Sequence, residues 1–157
     1  MLFGLGICVC MCMCAAQRNY TYINDKAFLI NDSVENRLNV HLNKIAAKGN
    51  VTIYIHTIPT QMQTGYEDSL LTSLNNHNKN VVFVFVSLKG AQLEIKTNTN
   101  AQRIISNERS LNIAMHTGTF FNEKDYNGGI EYAVKKLDFL SSPVPDNNNS
   151  LCAEWSW

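Results

Sequence analysis

From Val81 to Lys96 the chain reads Val-Val-Phe-Val-Phe-Val-Ser-Leu, then Lys89-Gly90, then Ala-Gln-Leu-Glu-Ile-Lys. The first run is apolar at successive positions, so both faces of the strand it forms must be covered. The second run alternates, with Leu93 and Ile95 on one face and Gln92, Glu94 and Lys96 on the other, the pattern of a half-buried strand. A short polar link holding Gly90 suits a hairpin turn. The chain must therefore build a sheet with a core strand and an antiparallel neighbour.

The segments before it supply the rest of an α/β pattern. Asp32-Ser-Val-Glu35 has capping-box spacing, with Asp32 as the expected N-cap. Val34, Leu38, Leu42 and Ile45 follow as one helical stripe, and Gly49 stands where a helix end favours positive φ. Val51 to Ile58 is a β-branched run stopped by Pro59, a strand. Tyr66, Leu70, Leu71 and Leu74 predict a second helix behind the capping-box spacing of Thr64 and Glu67. Beyond Lys96, a third helical region is expected to place Ile104, Ile105, Leu111, Ala114 and Met115 on one face. Asp125 is the expected N-cap of a last helix that buries Tyr126, Ile130, Ala133, Val134 and Leu137. Gly128 and Gly129 weaken that helix by roughly 1 kcal/mol each relative to Ala. Close backbone approach to the sheet would account for them.

Length and charge bound the function. At 157 residues the chain holds one domain with a real core, expected over 17–140. Lys plus Arg and Asp plus Glu number 13 each, so no basic excess points to nucleic acid. Residues 1–16 carry no side-chain charge, are short for a membrane span and end in Cys14-Ala15-Ala16. They read as a secretory signal, and the mature chain is expected to have no membrane span and to be secreted or periplasmic. A buried N-terminal segment or a mis-assigned start is the alternative. Cys8, Cys10, Cys12 and Cys14 fall inside this leader, and Cys152 alone cannot make an internal disulfide. Residues 141–157, with Pro143, Pro145, Asn147 to Asn149 and the unexplained Trp155 and Trp157, read as a flexible tail. Four Asn-x-Ser/Thr triplets, at Asn19, Asn31, Asn50 and Asn148, are glycan acceptors only on a eukaryotic export route.

Read together, these pieces resemble the TPM domain. Its representatives are a thylakoid lumen phosphatase, a photosystem II repair protein, a nematode acetylcholine-receptor modulator and exported bacterial proteins. Tyr22-Ile-Asn-Asp25 resembles the family's opening Tyr-Val-Asn-Asp. Val82 to Val86 resembles its central apolar strand, and Leu93-Glu94-Ile95 its following strand. Phe121, Asp125-Tyr126 and Gly129-Ile130 resemble its closing pattern. The resemblance implies a three-layer α/β/α sandwich around a small mixed sheet. It also implies that calcium binding or phosphatase chemistry belongs to the rim where the hairpin strands start and end, and makes Asp25 and Asp125 family-type carboxylates.

The departures fall on that rim. The family's Lys-Asp-Asn-Gly aligns with Asn78-Lys79-Asn80-Val81, which puts Lys79 in place of the acid. Its Gly-Tyr-Gly-Leu-Glu aligns with residues 97–101, which contain no glycine. Calcium needs hard oxygen ligands and negative charge. Asp25, Asn80 and Asn98 are the candidate oxygen donors, with Asn100 beside them. One like charge at about 4 Å costs on the order of 4 kcal/mol at an effective dielectric of about 20, and twice that against a divalent ion. The expected function is an exported binding or modulatory module with an unknown protein partner and a degenerate catalytic rim. The alternatives are a weak calcium-binding, metal-dependent acid phosphatase and an extracellular receptor-associated modulator. No Ser-His-Asp or Cys-His order stands out. His56, near a strand end, is the one histidine weighed as a base or ligand.

Overall fold

The computed structural model describes residues 22–60, 72 and 79–142. The leader, the helix expected over Tyr66 to Leu74 and the tail beyond Ser142 lie outside them. Within them the order is β1 (Ile23–Asp25), α1 (Asp32–Ala47), β2 (Thr52–Ile58), β3 (Val81–Ser87), β4 (Gln92–Thr97), a short 3-10 turn (Ala101–Arg103), α2 (Asn107–Asn122) and α3 (Tyr126–Ser141). The four strands lie side by side in chain order. β1, β2 and β3 are parallel and β4 is antiparallel to β3, so the sheet is mixed, as expected.

Register explains the apolar run. Ile53, Val82 and Thr97 stand level across the sheet, as do Ile55, Val84 and Ile95, and Thr57, Val86 and Leu93. This face carries α1, α2 and α3, whose buried residues join it in one core. The alternate residues Val81, Phe83 and Phe85 form a second cluster on the opposite face, with Tyr54 packed against it. Tyr54 and Phe83, and Phe83 and Phe85, have ring centroids 5.4 Å apart, within the range where offset aromatic stacks attract. All seven β3 residues are buried, which is why the strand has no polar face. The sandwich architecture thus follows from one strand that needs cover on both sides.

Three local expectations are corrected. The N-cap of α1 is Asn31, not Asp32: its Oδ1 accepts from Val34 N at 2.9 Å. Asp32 instead stands in the first turn, where the helix dipole favours an acid. The third helical region begins only at Asn107, capped by Ser106, so Ile104 and Ile105 precede it. Its buried stripe is Ser110, Ile113, Thr117 and Phe121, while Leu111 and Met115 are 61% and 65% exposed. Small hydroxyl residues fill the seam, so hydrophobicity alone selects the wrong face. Finally, Gly129 permits close approach to α2 rather than to the sheet. A Cβ there would lie 2.6 Å from Phe121 Cε1, and Phe121 is buried and cannot yield.

The Asp125 cap is as expected, its Oδ1 accepting from Gly128 N at 2.8 Å. Gly49 has φ +79 just past α1, also as expected. The hairpin link spans Leu88 to Ala91, but its left-handed residue is Ala91 (φ 45), not Gly90.

Candidate functional site

Parallel pairing gives the sheet two unlike ends. The carboxyl rim holds the last residues of β1, β2 and β3 and the β3–β4 turn. The amino rim holds the first residues of β2 and β3 together with the end of β4. Asn80 and Asn98 lie on the amino rim, flanking Val81 and Thr97. Asp25 lies on the carboxyl rim, level with Thr57 and hence with Val86. Six residues of extended chain separate Val86 from Asn80, about 20 Å. The structure therefore brings Asn80 and Asn98 together and leaves Asp25 at the far end, so the three cannot share one ion.

At the amino rim, Asn98 is 3% exposed and its amide is fully engaged. Oδ1 accepts from Val81 N at 3.1 Å and from Ala101 N at 2.9 Å, and Nδ2 donates to Lys79 O at 2.7 Å. Both lone pairs of the carbonyl oxygen are occupied by N–H groups, which leaves none for a metal. Asn98 thus ties the entry of β3 to the exit of β4 and to the turn that follows. Asn80 is half-buried and donates from Nδ2 to Asn50 O at 2.5 Å, while its own carbonyl accepts from Thr52 N at 2.8 Å. Asn50 in turn donates from Nδ2 to Ser141 O at 2.8 Å, fastening the end of α3 to the same rim.

Outside this lattice of amides is an open depression of about 400 Å³ lined by Asn80, Asn100, Arg103 and Ile104. Lys79 and Arg103 are exposed, and neither forms an ion pair among the described residues. Lys79 does lie beside residues 97–100, as the hairpin geometry predicts, because its carbonyl is held by Asn98. The local charge is positive, unsuited to calcium.

The carboxyl rim is organised by a carboxylate. Asp25 Oδ1 accepts from Leu29 N at 3.1 Å and from the Thr57 hydroxyl, and Oδ2 accepts from Ile30 N at 2.9 Å. Thr57 Oγ1 also accepts from Ala27 N at 3.0 Å. Asp25 thereby folds the β1–α1 loop over the end of the sheet. The loop bends so tightly that Phe28 adopts φ 53 and is 92% exposed. Open α/β sheets usually bind ligands at this end of the strands, and here the loop and Thr57 take three of the carboxylate's acceptor sites.

His56 lies on β2 near the same end, on the face opposite the described helices, with its ring 6.1 Å from that of Phe85. Burial, and secondarily the Lys26 ammonium, hold its imidazole below the usual value, so it is neutral at pH 7. It does not reach the amino rim. His41 lies at the α1–α3 seam, with Nε2 3.1 Å from Asp138 Oδ2, and Lys48 Nζ is 2.8 Å from Asp138 Oδ1. Asp125 is engaged as a cap. No group of three or more His, Cys, Asp and Glu able to hold a metal occurs among the described residues. Nor is any described helix long and apolar enough to cross a membrane.

A mixed sheet of this order, closed by amides at one end and a carboxylate at the other, defines an α/β sandwich, with no metal-ligand cluster among the described residues. The profile of the TPM domain matches residues 23–138, and the chain belongs to that family. Solved structures agree in fold. The N-terminal domain of a protein from P. gingivalis is similar at a TM-score of 0.69 and 18% identity, over 78% of this chain and 82% of that one. The BA42 protein of the psychrophilic bacterium Bizionia argentinensis is similar at 0.60 and 12% identity, over 75% and 84%. The N-terminal domain of the cg2496 protein of Corynebacterium glutamicum is similar at 0.60 and 14% identity, over 81% and 82%. No curated protein matches the chain.

Proposed function

We propose that this TPM domain is exported and binds a partner at its amino rim without turning over phosphate esters or depending on calcium. One observation carries the reading. The amide best placed to be a ligand, that of Asn98, is wholly engaged with main chain, while the charges left facing solvent are those of Lys79 and Arg103. A hydrolase of this kind needs acid to hold a divalent ion. A rim with two cations and two amides instead complements a carboxylate-bearing or phosphate-bearing surface of a protein partner.

The test is a pair of measurements on the purified chain. Turnover of an aryl phosphate between pH 5 and 7 is expected to stay at the blank rate with and without calcium or magnesium. Millimolar calcium is expected to leave the melting temperature unchanged, because an ion that binds only the folded state must raise it. Metal-dependent turnover, lost in Asn80→Ala while that variant still melts cooperatively, would establish the phosphatase reading instead.

A further inference from the structure

We infer that Asn31 is an attachment site for an N-linked oligosaccharide, and that Asn50, the other Asn-x-Ser/Thr triplet among the described residues, is closed to one. The inference rests on the export reading above. The chemistry is substitution at a sugar. The amide Nδ2 bonds to the anomeric carbon of a lipid-linked oligosaccharide, the bond from that carbon to the lipid pyrophosphate breaks, and one amide proton leaves to a base. The product keeps the carbonyl oxygen and a single N–H. A folded protein tolerates this only where Nδ2 is free and the side-chain oxygen does the structural work.

Asn31 meets both conditions. It is exposed, and its structural duty falls on Oδ1, which accepts from Val34 N at 2.9 Å and from Ser33 Oγ at 3.0 Å. Its main-chain N–H donates to Asn127 Oδ1 at 3.1 Å, which leaves Nδ2 with no bond among the described residues. The residue at the second position, Asp32, is not proline. Glycosylation therefore leaves the α1 cap intact. Asn50 is the reverse case. It is half-buried, and Nδ2 is the donor that holds Ser141 O at 2.8 Å. A sugar on that nitrogen competes with the bond that fastens α3 to the amino rim.

The position has a consequence for the surface. Asn31 follows the exposed Phe28 and adjoins the start of α3. An oligosaccharide there covers the carboxyl rim and leaves Lys79 and Arg103 open at the far end.

The experiment is secretion of the full chain from a eukaryotic cell line, once with residues 1–16 and once with a host leader in their place. Enzymatic deglycosylation, which converts an occupied Asn to Asp, is followed by peptide mass mapping. Asn31 is expected to be occupied in most secreted molecules and Asn50 in almost none. Asn31→Asp keeps a good cap and removes the acceptor, and Ser33→Ala removes the recognition hydroxyl. Each is expected to lose the mass of one oligosaccharide with no loss of cooperative melting. A bare Asn31 in chains secreted by the host leader, or majority occupancy at Asn50, overturns the assignment. If the host leader alone gives secretion with Asn31 occupied, the site stands and the export reading falls.

Discussion

The two rims of the sheet solve one problem, closing the main chain at the ends of strands, with different side chains. At the amino rim neutral amides do it: Asn98 alone joins three backbone segments, and Asn80 and Asn50 extend the chain of bonds to α3. At the carboxyl rim a carboxylate does it, drawing two N–H groups and a hydroxyl around Asp25. Backbone strain follows the same division. The non-glycine residues with positive φ are Phe28, Ala91 and Lys124. The first two lie on the carboxyl rim, and Lys124 precedes the start of α3, which Asn127 joins to Asn31 at that end. The amino end has Gly49 in the left-handed region, where glycine adopts it at no steric cost. One end is relaxed and positively charged at its surface; the other is tightly bent and displays an aromatic ring.

The contrast can be broken most forcefully at Asn98. Asn98→Ala leaves two buried N–H groups and one carbonyl without partners, and chemical denaturation is expected to show a loss of about 3–5 kcal/mol. A mild effect would mean that the amide is replaceable, and would reopen the rim to a ligand role. Next comes Asp25→Ala, expected to cost about 2–4 kcal/mol because charge-assisted bonds to the loop are lost. A carboxylate kept for catalysis would instead be removable at little cost to stability.

His56 tests the carboxyl end by pH. Its pKa is lowered on folding, so the unfolded chain binds more protons as pH falls through the ordinary value of 6.5. Its contribution is fully present above that value and is lost progressively below it, down through the folded pKa. The melting temperature should therefore fall between about pH 7 and 5, and His56→Gln should flatten that slope.

The strain asymmetry is sharpened by exchanging Gly and Ala. Ala91→Gly is expected to raise stability by about 0.5–1 kcal/mol, whereas Gly49→Ala, with nothing within 4 Å of its added Cβ, is expected to lower it by about as much. Equal signs would refute the division. The smallest effect belongs to Ser110→Ala. The Ser110 hydroxyl is buried and lacks a partner among the described residues, so its removal should change stability by no more than about 0.5 kcal/mol.

Much of this fold is legible in residue order. The apolar run of β3 and the alternation of β4 dictate a hairpin with one strand covered on both sides, and Val34 to Ile45 can only be an amphipathic helix. The buried face of α2 is not legible, because Ser110 and Thr117 pack there while Leu111 and Met115 do not. At the site, the meeting of Lys79 with residues 97–100 follows from hairpin pairing. The duty of Asn98 had a signal too: an Asn between threonines at a strand exit, three residues before Ala101, suits an Asx turn. The placement of Asp25 was also deducible. A strand–helix–strand unit is parallel, so a residue ending β1 cannot stand beside one preceding β3. What no local pattern reveals is Thr57 as the partner of Asp25, a contact across 32 residues.

Asn50 carries one more implication. By gripping Ser141 it pins the last turn of α3 at the end where β2 and β3 begin. A fluorophore or bead attached beside that turn would crowd the lysine-bearing surface and leave the opposite pole clear, so immobilisation chemistry for partner searches belongs on the Phe28 side.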